Sequence, residues 1–491
     1  MVSERPMSLD PLIDASDPAV VDVGHLLYRS LLKLDSTGYP TTDLAASYSV
    51  SANGLVYSVV LPPNIEWSNG AAITAADVLA TDAFALSPAA SDPNLATALR
   101  GVKVASSGQS TITFTMPSPR ASFAATLTQM PILPLGSLSG TSLLAVARQP
   151  TLPLPTSGPY DVQSTAPLAI VLQPNPHAAV HPVIKSYELR LFVTFADAAY
   201  AFSQGSIDAL LATTPEELST LLKVKGAQAE SITVPEFVDL MFNERDAALA
   251  DSVVRHAIGI AINRSSVVSG ALDHRGGVIQ TSPFSAGLPW VGPPSIEAIS
   301  PTVAASILDA NGWVAGPNGV RHRGSTQLTF TLAVPDIDPL PVVAREVADQ
   351  LATIGVQVTV VAVTPQTFLT GTLDSGDFQL AIDAWNPVPD PDISAFWRSN
   401  AAPPHGYNVS GGTPDPFLDA ALDMLAESPG RAVRVSAAAQ VAALLAADAP
   451  AAFLYTPRVS VVFRSPAPTA PMPSIGPESA RYDDIAAWEL H

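Results

Sequence analysis

Hydrophobic and polar positions alternate through residues 51–78 in a way that fixes three consecutive elements. Leu55, Tyr57, Val59 and Leu61 recur at every second position, the period of a strand with one buried face. Asn53-Gly54 ahead of them is a turn pair, because both residues tolerate positive φ, and Trp67-Ser68-Asn69-Gly70 is a second turn. Thr74 then opens a helix: its hydroxyl caps the first turn, Asp77 sits at the capping-box position, and Val78 begins the apolar run. The two periods recur along the chain. Residues 20–34 predict an amphipathic helix with Val23, Leu26, Leu27, Leu31 and Leu34 on one face, and Ile112, Phe114 and Met116 alternate as a strand. Residues 139–156, rich in Pro and Leu without a period, read as a loop. Gly158-Pro159-Tyr160 begins a strand, residues 170–176 follow, residues 237–243 form another, and 251–263 form a helix. Residues 327–334, 340–351 and 356–363 make a strand–helix–strand unit, with Gly355 placed to end the helix in a left-handed conformation. A crossover of that length predicts parallel, right-handed pairing. A strand over 378–384, a helix over 431–447 stopped near Pro450, and a short strand over 453–455 complete the pattern.

Composition narrows the function. At 491 residues the chain exceeds one hydrophobic core, so two or three domains are expected. It is 47% hydrophobic, yet its longest apolar stretch, 437–455, is broken by Gln440, Asp448 and Pro450 and is not a membrane span. The net charge of −20 argues against nucleic acid and against docking on anionic lipid, both of which call for a basic face. The absence of cysteine excludes thiol catalysis, disulfides and Cys-ligated metals. Residues 1–10 hold no apolar core of a signal peptide, so the expectation is either a cytosolic protein or a numbering that starts after processing. Abundant Ala and Pro, with Arg in excess of Lys, point to a GC-rich genome such as an actinobacterium's.

The order of the pieces resembles bacterial family 5 extracellular solute-binding proteins, the oligopeptide and dipeptide receptors of ABC importers. That family carries a strand, a W-S-D-G turn and a T-A-x-D-V helix start; here Asn69 stands for the Asp of the turn, and Pro62 where a basic residue is usual. Leu27 to Leu32, Asp35, Gly38 and Leu44-Ala45-Ala46-Ser47 resemble the family's lead-in. Gly158-Pro159-Tyr160 with Ile170-Val171-Leu172 and Asn175-Pro176, Gly205 to Ala209, and Asp251 to Asn263 match further blocks in family order. The resemblance implies an α/β, two-lobed periplasmic-binding-protein-like fold with an inserted extra domain, three domains around a cleft. Domain I would comprise 1–40, 157–245 and 465–491, domain II the insert 41–156, and domain III 246–464. It further implies a monomer without cofactor or metal that binds a peptide or similar small ligand between domains I and III. The protein would be exported, lipid-anchored and served by an ABC permease. A second expectation keeps the fold without import: mycobacterial envelope lipoproteins of the LpqW type, which resemble the family, take part in lipoarabinomannan and phosphatidylinositol mannoside metabolism.

Enzyme signals are weak. No G-x-S-x-G, H-E-x-x-H or G-x-x-x-x-G-K occurs, and the eight histidines are scattered along the chain. The candidate recognition stretch is 383–397, where an apolar strand ends in an aromatic residue and breaks at Pro387, Pro389 and Pro391. Prolines cannot donate, so contact falls to Trp385, Asn386, Asp390 and Asp392. Core packing by Trp385 and Trp397, with the aspartates capping a helix from Ser394, is the competing expectation. The resemblance places a peptide-ammonium-binding Asp three residues after Trp385, where this chain has Val388. It also places backbone pairing with an extended ligand at Ala15, Ser16 and Asp17 and at Ala384, Trp385 and Asn386. Phe237 and Asp239, on one side of their strand, and Tyr407, in a segment loosely matching the family's N-x-x-x-Y/F-x-N, are further candidates; packing or surface roles are open for each.

Overall fold

The computed structural model describes residues 9–15, 17–35, 37–136, 154–285, 288, 290, 300–385, 390–470, 472–473 and 475–489. The expected loop over 139–156 falls mostly outside them. The opening stretch folds as its pattern dictates. Val56–Val60 is a strand with Tyr57 and Val59 buried, and it lies between Ser47–Val50 and Thr111–Thr115 in a four-stranded antiparallel sheet. The turn closes with Gly70 N–H donating to the Trp67 carbonyl at 2.8 Å. The helix Ala75–Ala85 starts with the Thr74–Asp77 capping box, the Asp77 carboxylate accepting from Thr74 N–H at 2.9 Å.

The first helix is shorter than its pattern predicts. It spans Pro18–Leu27, and Leu32–Leu34 pairs instead as a strand with Pro40–Thr42. The reason is a competing donor. The Leu27 carbonyl, which would accept from residue 31 in a longer helix, accepts from Ser157 and Gly158 N–H at 3.0 and 2.8 Å. Gly158 is required there, since a Cβ would stand 2.5 Å from the Leu26 carbonyl oxygen. Hence the Gly-Pro-Tyr block terminates the first helix as well as starting the strand Tyr160–Ala166.

A mixed eight-stranded sheet forms the second half of the molecule. Its main path runs Ala209–Ala212, Ala451–Phe463, Phe237–Phe242, Leu380–Trp385, Thr329–Pro335, Gln357–Val363. Gln228–Thr233 and Gly277–Ile279 also pair with Ala451–Phe463. The crossover through helix Leu340–Ala352 is parallel, as expected, with Thr329 opposite Gln357 through Pro335 opposite Val363. Both faces are covered. Val238, Leu240, Phe242, Leu332 and Ile382 pack with the helices Ser252–Ala261 and Leu340–Ala352 on one side; Phe237, Met241, Ala381 and Trp385 pack with Pro416–Glu427 and Arg431–Asp448 on the other. Burial on both sides explains why these strands are nearly continuous apolar runs.

The strand expected at 453–455 proves to be thirteen residues long. Ala451 to Tyr455 pair with Phe237–Phe242, whereas Arg458 to Phe463 pair with Gln228–Thr233. Val461 and Phe463 enter a separate core with Val23, Leu26, Tyr57, Phe114, Tyr160, Tyr482 and Trp488. One strand therefore joins two cores.

Gly355 has φ +79°, and a Cβ there would lie 2.8 Å from the Gly319 carbonyl oxygen. Gly355→Ala is expected to cost at least about 1–2 kcal/mol through the left-handed conformation alone, read as a lower urea midpoint with an unchanged slope.

Candidate ligand-binding site

Phe237–Phe242 and Leu380–Trp385 run antiparallel with Phe237 opposite Trp385 and Asp239 opposite Asp383. The period-2 alternation sets both pairs on one face. Trp385 is buried against Phe396 and Tyr407, ring centroids 5.0 and 5.7 Å away, and Phe396 stacks on Tyr407 at 5.4 Å. Phe237 meets Phe396 at 5.7 Å and Phe453 at 5.9 Å. Tyr407 is the outward member of this aromatic group, 48% exposed. Phe237, Trp385 and Tyr407, separated by up to 170 residues in the chain, thus share one cluster.

The acidic candidates divide. Asp390 is buried and both of its oxygens face the Arg434 guanidinium, Nη1 donating to Oδ2 at 2.9 Å and Nη2 to Oδ1. Arg434 Nε donates to the Leu425 carbonyl at 2.9 Å. Asp390 accordingly holds the loop to the helix Arg431–Asp448. Asp392 Oδ1 accepts from Ser394 N–H at 3.1 Å and from its hydroxyl at 2.6 Å, which ties it to the start of the short helix Ser394–Trp397, whose N-cap is Ile393; burial raises its pKa. Asp239 is different: it is fully buried, and its oxygens have no strong hydrogen-bond partner beyond the Trp385 side chain among the described residues. Burial first, then the Asp383 carboxylate, push its pKa well up, against a smaller opposing pull from Trp385. Burial raises Asp383 to about 7 and Glu236 to about 7.

At the N-terminal segment, Ala15 N–H already donates to Ser91 Oγ at 2.8 Å, and Asp17 caps the first helix through Ala19 N–H at 2.8 Å. Ala15 borders a cavity of about 170 Å³ that is also lined by His25, Tyr28, Arg29, Lys33 and Asp483. Burial drives His25 down to about 4 and Asp483 up to about 8. Ser16, Asn386 and Val388 lie outside the described residues. The strand edge at Ala384 and Trp385 is open towards Thr329–Pro335, which pairs with it only through Leu380 and Ala381.

Sequence reasoning passed over Arg434, Phe396 and the pairing of Asp383 with Asp239. A usable signal existed for the last: FVDLMF and LAIDAW each carry one carboxylate inside an apolar strand. Another set of contacts joins the N-terminal core to the far lobe. Tyr39 and Trp290 meet at 5.2 Å, Arg431 lies over Tyr39 at 4.9 Å, Arg434 lies over Trp290 at 4.7 Å, and Ala121 N–H donates to the Ala426 carbonyl at 2.7 Å.

The sequence profile of bacterial extracellular solute-binding proteins, family 5 Middle, matches residues 40–406, and the chain belongs to that family. A dipeptide-binding protein of Lactococcus lactis is 25% identical over 302 residues, 54% of this chain and 53% of that protein, so the chain matches about half the length of this relative. Among solved structures, the oligopeptide-binding protein AppA of Bacillus subtilis in complex with a nonapeptide superposes with a TM-score of 0.69 at 21% identity, over 100% of this chain and 98% of that one. NikZ of Campylobacter jejuni in complex with Ni(L-His) gives 0.72 at 20% identity, with the same coverage. The two-lobed solute-binding fold expected from the sequence is the observed one.

Asp390→Ala leaves Arg434 buried without its partner and is expected to cost about 3–5 kcal/mol, read by chemical denaturation. The raised carboxylates also set a pH dependence. Folding holds protons on Glu236, Asp383 and Asp483 that the unfolded chain releases near about pH 4. Stability from these groups is complete below that pH and is lost as pH rises through their folded values of about 7 to 8. The melting temperature is expected to be higher at pH 5 than at pH 8, and an unchanged or reversed order contradicts the assignment.

Proposed function

We propose that this protein is the capture component of an ABC importer, working on the outer side of the membrane and binding a peptide or similar small solute without turnover. Family membership supports the class, and the AppA–nonapeptide likeness supports an extended solute. Among the described residues no helix is long and apolar enough to cross a membrane, in keeping with a partner permease that does the crossing. The observation that carries the reading is the double strand passage between the cores. The chain crosses once between Thr233 and Phe237 and again between Tyr455 and Val459. Two adjacent extended crossings form a hinge, and the Tyr39–Trp290–Arg431 and Ala121–Ala426 contacts are what holds the lobes closed over the ligand.

The test is native mass spectrometry of the purified protein against its denatured mass, with small-angle scattering before and after ligand removal. A bound mass that is lost on denaturation, and a radius of gyration that grows when the ligand is stripped, are the expected results. At a hundredfold excess over Kd the ligand should add about 2.7 kcal/mol to stability. No bound mass, no thermal shift with a peptide library and no change in radius would overturn the capture reading and favour an envelope scaffold.

A further inference from the structure

The cavity of about 170 Å³ beside the first helix takes no wall from the far lobe. Among the described residues its lining runs from Pro11 to Pro159 and resumes at Tyr482 and Asp483, with nothing from 160 to 481. It therefore stands apart from the space between the lobes. Its walls are the loop 11–15, the helix Pro18–Leu27 with the residues that follow it, the turn at Thr128 to Pro131, and the C-terminal tail. Gly24 lets the loop close onto the helix, since a Cβ there would stand 2.8 Å from the Pro11 Cβ. Most charges on this wall are already matched. Arg29 Nε donates to Asp43 Oδ1 at 2.9 Å, and Lys33 pairs with Asp484 at 3.3 Å. Asp92 caps the helix Pro93–Leu99, accepting from Asn94 and Leu95 N–H at 3.0 and 2.9 Å. His25 and Asp483 remain. The His25 ring engages the Val21 carbonyl one turn back, and its Nε2 stands 3.9 Å from Asp483 Oδ1, beyond hydrogen-bond reach. Burial keeps both uncharged near neutral pH, taking His25 down to about 4 and Asp483 up to about 8.

The groups left over define what fits. A neutral imidazole that donates at one nitrogen accepts at the other, and a protonated carboxyl donates through its O–H while still accepting. Gln129, whose amide does both, lines the cavity and is exposed. Tyr28, Leu12 and Leu32 add ring and aliphatic surface. A metal ion is poorly served, because among the described residues no three His, Asp or Glu are grouped to ligate one. A charged ligand meets cations and carboxylates that already answer each other. A wholly apolar one strands His25 and Asp483 without partners. An uncharged ring bearing hydroxyls, each both donor and acceptor, satisfies all of these groups. The size agrees, since a cavity of roughly 150 Å³ admits a six-membered ring. We propose that this cavity is a binding site for one neutral, monosaccharide-sized polyol, separate from the space between the lobes. Its hydroxyls are met by His25, Asp483 and Gln129, and its ring carbons by Tyr28. Such an occupant bridges the first helix, the loop ahead of it and the C-terminal tail.

The test is titration calorimetry and saturation-transfer NMR on the full chain, at about pH 6, between the two folded values. The probes are D-glucose, D-galactose and D-mannose. D-Glucosamine and D-glucuronate serve as cationic and anionic rings of the same size, and cyclohexanol as a ring with a single hydroxyl. At least one neutral hexose should bind, one per chain. His25→Leu and Asp483→Leu should each weaken that binding at least about fivefold, the loss of one net hydrogen bond. Asp483→Asn keeps a donor and should retain it, a rescue that a purely structural role would not predict. Melting temperatures report whether each variant folds, and Gln129→Leu, which alters an exposed side chain, carries the same expectation of weaker binding without touching the core. No binding by any hexose means a hydrated cavity and overturns the inference. Affinity unchanged in every leucine variant that folds overturns it as well, because the sugar then binds elsewhere. Tighter binding of glucosamine, glucuronate or cyclohexanol overturns the neutral polyol class. None of these outcomes bears on capture between the lobes, which the peptide thermal shift and the scattering change decide.

Discussion

The Ala451–Phe463 strand is hydrogen-bonded to four other strands, and its two ends lie in different hydrophobic cores. Its first half is sandwiched between helices, with Leu454 on one face and Phe453 on the other. Its second half sends Val461 and Phe463 towards the N-terminal helix and the C-terminal tail. The strand therefore runs from one core into the other, and its residues Tyr455 to Pro457 are themselves paired with Gly277–Ile279. The site sits beside this crossing, where strands that are otherwise buried on both faces reach their ends.

How much of this was legible depended on how local each signal was. The Thr74–Asp77 capping box, the turn at Trp67 to Gly70 and the parallel unit around Leu340–Ala352 depend on neighbours within one or a few turns, and each formed as its pattern demands. The first helix overran because its terminator, the Gly158 segment, lies more than a hundred residues away and is invisible to periodicity. The long strand looked short because Thr456, Pro457 and Arg458 interrupt its apolar run, although a strand that changes partners at that point tolerates them. Arg434 read as one more polar residue on a helix until the fold set it against Asp390.

The candidate site was legible as a list and not as an arrangement. Phe237, Asp239, Trp385 and Tyr407 were identifiable one by one, whereas Asp383 opposite Asp239 is a fact of register, which a single strand cannot reveal. Asp390 and Asp392 show the reverse case. Their position after a strand end suggested recognition, and the structure gives them an arginine and a helix terminus to hold.

The shared core has a bearing on how the chain is made. Val23, Leu26 and Leu27, close to the start, are packed with Tyr482, Ile485 and Trp488, close to the end, and Phe463 meets Trp488 at 5.6 Å. A ribosome must synthesise almost the entire polypeptide before the first helix finds its full apolar cover. Contacts so distant in sequence form slowly, and the early segments stay without their partners until late. During synthesis the molecule is thus a thread whose first knot is tied by its last residues, a state that chaperones can still grip.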